Sequence, residues 1–165
     1  MGFLRKTQET DQQYIKRNRF SRVTKETAMS ERASKHFEDS IIREKLIILL
    51  IMENPFLISK YLEELGHINF NNLELSKACS RIVEYIALKD DKSLENLDIK
   101  SYLVDKGFQQ QIVDIYNPPL LNTYQALLKN NEKEVERSFL EFLKLQDKFS
   151  KNKDVDQAVI DLEEN

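Results

Sequence analysis

Seven consecutive apolar residues, Leu46 to Met52, stand between Arg43-Glu44-Lys45 on one side and Glu53 on the other. A helix that is apolar on every face has to be buried. A membrane span needs about 20 such residues, so this run reads as the inner spine of a helical domain. Its helix is expected to begin near Asp39 or Ser40, both good N-cap residues, and to end before Asn54. Asn54-Pro55 comes next. Proline fits the first helical position, where its missing N–H costs nothing, so Asn54 is expected to cap a second helix.

That second helix carries Phe56, Leu57, Tyr61, Leu62 and Leu65 at spacings of three and four, with Gly66 as its C′ stop. A third is expected after Asn71-Asn72, with Asn71 and Glu74 as a loose capping box. Leu75, Ala78, Cys79, Ile82, Val83 and Ile86 give it one apolar stripe. Further helices are expected from Asp98 to Lys106, closed by Gly107, and from Phe108 to Tyr116. Asn117-Pro118-Pro119 breaks the chain, and Leu120 to Lys129 resumes. Glu132 to Ser150 is the longest segment, with Val135, Phe139, Phe142, Leu143, Gln146 and Phe149 on one face. A last short helix holds Val155, Val159 and Leu162. No window alternates apolar and polar residues in the manner of a strand. The expected fold is therefore all-α: a compact bundle of about six helices over residues 38–131, then a long helix and C-terminal helical hairpin over 132–165.

Residues 1–37 read as a basic, largely flexible arm. Residues 1–36 hold nine Lys or Arg against four Asp or Glu, so the net charge of −3 divides into +5 for the arm and −8 for the body. Any nucleic-acid contact is expected in the arm. Lys16, Arg17, Arg19 and Arg22, beside Tyr14 and Phe20, are the candidates for a weak contact by charge and stacking.

Catalytic chemistry has little to stand on. The two histidines, His36 and His67, have no ligand-type partner at helical spacing, and Cys79 is the single cysteine. No metal site, cofactor, small-molecule substrate or activated nucleophile is expected from these residues. A lone cysteine and the absence of an apolar leader after Met1 fit a cytoplasmic location.

The pattern R-E-x-x-L-I-x-L-L-I-x-x-N-P-x-L, carried here by Arg43-Glu44, Leu46-Ile47, Leu49-Leu50-Ile51 and Asn54-Pro55, resembles the opening helix pair of the C-terminal, helicase-binding domain of bacterial DNA primases, in its alphaproteobacterial form. Glu64-Leu65, Phe70 and the run Glu134 to Gln146 extend the resemblance, which covers about Phe37 to Phe149. It implies a non-catalytic interaction domain, without the zinc ribbon and acidic catalytic core of a complete primase. It also implies a C-terminal hairpin that contacts the N-terminal domain of the replicative helicase. Composition singles out the same region. Phe142, Phe149, Val155, Val159 and Leu162 are the candidate partner-binding residues, the other reading being a hairpin packed on itself. Two alternatives stay open: the related N-terminal domain of the helicase itself, which the acidic ending Glu163-Glu164-Asn165 disfavours, and a small nucleic-acid-binding protein using its basic arm.

Overall fold

A computed structural model describes residues 31–89, 96–128 and 131–163. The chain divides into two compact units, Met1–Asp39 and Ser40–Asn165. In the first, residues 31–39 are helical and exposed. In the second, the described residues form eight helices and no strand: α1 (40–53), α2 (Phe56–Lys60), α3 (Leu62–His67), α4 (Leu73–Ala87), α5 (Ile99–Asp105), α6 (Gln109–Ile115), α7 (Pro118–Leu128) and α8 (Glu132–Glu163). The protein is all-α.

The spine is where the sequence puts it. Every residue from Leu46 to Met52 is buried, and Ile47 to Ile51 expose nothing. Around this helix pack Leu57 and Ile58 of α2, the stripe Leu75, Ala78, Cys79, Ile82 and Ile86 of α4, and Ile99, Leu103, Ile112 and Ile115 of α5 and α6. Tyr124 of α7 and Val135, Phe139 and Leu143 of α8 complete the core. Burying each such aliphatic side chain contributes about 1.5–3 kcal/mol.

Several helix boundaries differ from expectation, each for a local reason. Helical conformation already holds at residues 31–39, so neither Asp39 nor Ser40 is an N-cap; the Ser40 side chain is buried and bonded elsewhere. Asn54 does not cap α2. Its Nδ2 turns back to Leu50 O at 3.0 Å and donates to Tyr124 Oη at 3.2 Å, closing α1 and tying it to α7, while Pro55 takes the N-cap position without a side-chain bond. The expected second helix is interrupted at Tyr61 (φ −122°, ψ 34°). The Tyr61 hydroxyl and Lys60 ammonium both reach Glu136 of α8, and the Tyr61 ring meets Phe139 at 5.6 Å. Gly66 lies inside α3 instead of stopping it. Asn72, not Asn71, caps α4, its Oδ1 accepting from Glu74 N and Leu75 N, both at 3.0 Å.

Other boundaries match. Asp98 caps α5, accepting from Ser101 N at 3.0 Å and Ser101 Oγ at 2.6 Å, and Gly107 ends it at φ +93°, a conformation that suits glycine. Asn131 Oδ1 caps α8 through Glu134 N at 3.1 Å. The prolines, expected to break the chain before a helix at Leu120, instead form the first turn of α7, where their missing N–H groups cost nothing.

The expected C-terminal hairpin does not form among the described residues. Residues Glu132–Glu163 form one unbroken helix of 32 residues. Lys151-Asn152-Lys153-Asp154 is polar enough to suggest a turn, yet it contains neither glycine nor proline, and helix propagates through such residues once nucleated.

Candidate protein-docking surface

Attachment of α8 to the bundle rests on a buried polar cluster. Ser40, Glu44 and Gln146 are wholly enclosed. The Glu44 carboxylate accepts from Asn71 N at 2.6 Å and Asn72 N at 3.0 Å, so it also holds the entry to α4. Gln146 Nε2 donates to Glu44 Oε1 at 2.9 Å and to Asn69 O at 3.0 Å, while its Oε1 accepts from an Arg43 guanidinium N–H at 3.3 Å. Asn71 Nδ2 donates to Ser40 Oγ at 2.8 Å. One carboxylate and one amide thus fasten α1, the α3–α4 loop and α8 together. A buried polar group left without partners costs about 1–3 kcal/mol, so the cluster holds α8 in one register.

N-terminal to this clamp, α8 is a bundle helix. Val135, Phe139, Leu143 and Gln146 are buried at helical spacing, and Phe142 is partly buried against the core. Between α3 and α8 lies an open groove of about 350 Å³, with Ile68, Leu140 and Leu143 as its apolar lining and Lys144 and Asp147 among its charged residues. His67 also lines it, exposed at the end of α3.

Beyond the clamp the helix leaves the bundle. Phe149 and Ser150 are half-covered, and every residue from 151 to 163 is exposed. Val155 is 62% exposed, Val159 49% and Leu162 78%. Their spacing of four and three puts them on one face, about half a turn round the helix from the Val135–Gln146 stripe at 3.6 residues per turn. Lys153 reaches back to Asn71 Oδ1 at 3.5 Å, which orients the segment and leaves that face pointing away from the bundle.

The candidate residues therefore separate. Val155, Val159 and Leu162 share one exposed face, Phe149 sits at the exit of the helix from the bundle, and Phe142 belongs to the packing face. Lys16, Arg17, Arg19 and Arg22 lie outside the described residues. Sequence reasoning missed Ile160, 49% exposed and off the main stripe, and Leu145, 43% exposed. It also missed the clamp, although Glu44 and Gln146, polar residues embedded in apolar runs, carried its signal.

Elsewhere, burial is the main reason that the Cys79 thiol is pushed up to about 12 and the Tyr124 phenol to about 12. Burial, then the hydrogen bond to Glu53, raises Tyr116 as well. Among the described residues no group of three or more His, Cys, Asp or Glu side chains is placed to hold a metal ion, and no helix is long and apolar enough to cross a membrane.

No family model, curated protein or solved structure matches this chain.

Proposed function

We propose that the chain is a non-catalytic interaction domain, the helicase-binding part of a bacterial DNA primase. On this reading it is cytoplasmic, and it recruits primer synthesis to the replication fork by binding the N-terminal domain of the replicative helicase. The resemblance around Arg43 to Leu57 and Glu134 to Gln146 supports the family. The observation that carries the docking role is the exposed aliphatic face Val155, Val159 and Leu162 on a helix clamped at its base.

The physics suits docking. A free helix as short as the exposed segment 151–163 is marginal in water because nucleation is costly, but here it propagates from a half that is already packed. A partner therefore meets a preformed ridge and orders little on binding. Three aliphatic side chains contribute about 1.5–3 kcal/mol each when fully covered, and association costs of about 4 kcal/mol or more offset much of that sum, so the ridge alone gives weak binding to which surrounding contacts add.

The test is a titration of the N-terminal domain of the same organism's helicase with the chain and with a Val155→Ser, Val159→Ser, Leu162→Ser variant. The proposal expects binding by the first and a loss of at least about tenfold in the second. Equal binding by both moves the contact elsewhere, and binding by neither rejects the helicase as partner.

A further inference from the structure

The charges beside the exposed ridge of α8 say what kind of surface it meets. From residue 152 to 163 the chain carries Asp154, Asp156, Asp161 and Glu163 against one cation, Lys153. At about 100° per residue, Asp156 and Glu163 flank the Val155–Val159–Leu162 ridge on one side, and Asp154 and Asp161 lie on the other. Lys153 is on the back of the helix, where it reaches Asn71 Oδ1. Ala158 widens the ridge without adding polarity. The result is an aliphatic strip between two acidic rails.

Helix stability does not account for this arrangement. The C-terminal end of a helix carries partial negative charge and favours cations, yet the last turn of α8 has no basic residue and contains Asp161 and Glu163. Some of these carboxylates have partners on the helix itself, as where Gln157 Nε2 donates to Asp161 at 3.0 Å. Such a bond leaves the negative charge in place beside the ridge. Nearer the bundle, α8 mixes both signs, with Lys144, Lys148 and Lys151 among Glu141 and Asp147. The single-sign region is residues 154–163, the outer part of the exposed segment, beyond Lys151 and Lys153.

We infer that the distal half of α8 docks into an apolar groove of a protein partner whose two rims carry lysine or arginine. The aliphatic strip fills the floor, and the two acidic rails meet the basic rims. Phosphate backbones and anionic bilayers are poor occupants, because four carboxylates repel them. This inference rests on the reading of distal α8 as the docking element and adds the chemistry of the surface it fits.

The test uses the full chain and a charge-inverted variant, Asp154→Lys, Asp156→Lys, Asp161→Lys and Glu163→Lys, with helicity checked by circular dichroism. Each is titrated with the helicase N-terminal domain at about 50 mM and about 500 mM salt, since exposed charges are largely screened at the higher value. The expected result is a fall of about tenfold or more with salt for the natural chain, and a comparable loss on inversion at low salt. Binding that depends on Val159 but ignores both salt and inversion overturns the inference and leaves the docking role standing. A second probe separates the two claims: a leucine-ridged helical peptide pair with lysine flanks, and its twin with glutamate flanks. The natural chain should prefer the lysine-flanked pair and the inverted variant its twin, with both preferences lost when the ridge carries the three serines. Indifference to the flanking charge overturns the inference whatever the helicase does. Preference for lysine flanks without helicase binding rejects only the named partner.

Discussion

Glu44 exposes nothing to solvent, and its described partners are neutral donors: two backbone N–H groups, a glutamine amide and a serine hydroxyl. Such an arrangement is sensitive to loss of any member, because the remaining polar atoms stay buried. Gln146→Leu leaves Glu44 Oε1 and Asn69 O each short of a donor, and it should lower unfolding stability by about 1–3 kcal/mol, read from the urea midpoint. The two described glycines should respond oppositely to alanine. Gly107, at φ +93°, has open space around an added Cβ but the wrong backbone for it, so Gly107→Ala should destabilise by about 1–2 kcal/mol. Gly66 is helical with equal room, so Gly66→Ala should stabilise by about 0.5–1 kcal/mol. Composition treats the two glycines alike, as helix stops. They differ in backbone angles set by the neighbouring chain: Gly66 continues the helical turn to His67, whereas Gly107 must redirect the backbone into α6.

At the scale of helices, apolar periodicity locates most elements, because a buried stripe leaves a repeat that depends only on the helix itself. Leu46 to Met52 and the α4 stripe are legible for that reason. Caps are less so, since adjacent asparagines such as Asn71 and Asn72 offer the same chemistry and packing selects between them. The break at Tyr61 depends on Glu136 and Phe139, about 75 residues away, and local sequence carries no trace of it. Two elements give direct tests. Cys79 lies inside the α4 stripe with its thiol pushed up to about 12 by burial, so alkylation at neutral pH should proceed only as fast as α4 opens. Rapid labelling of the native chain would contradict its placement. The Asp98 carboxyl is held below its ordinary range, first by the Ser101 hydroxyl and then by the Ser101 N–H. A carboxyl depressed in the folded state stabilises above its unfolded value, and that contribution is lost as the pH falls through the folded value. Asp98→Asn should therefore show a shallower acid loss of stability than the natural chain, in urea midpoints tracked from neutral to acid pH.

Across the molecule, the proposed function divides α8 into a half that packs and a half that would meet a partner. Val135 to Gln146 close the core and the polar clamp, while residues 151–163 are exposed throughout. Apolar residues in the sequence locate this division but not its form. A polar run resembles a turn, and only the absence of glycine and proline tells that the helix continues. An extended helix changes what a partner meets, from a folded-back hairpin to a projecting ridge. Hydrogen exchange should reflect the same division, with amides of residues 152–163 far less protected than those of 135–146. The most direct measurement is a titration of the helicase N-terminal domain with the whole chain and with a chain ending at Ser150, each first matched for its urea midpoint. Equal midpoints are expected, with binding only by the whole chain. Binding retained by the shorter chain, or a collapse of its stability, would contradict the division of α8 into a structural half and a docking half.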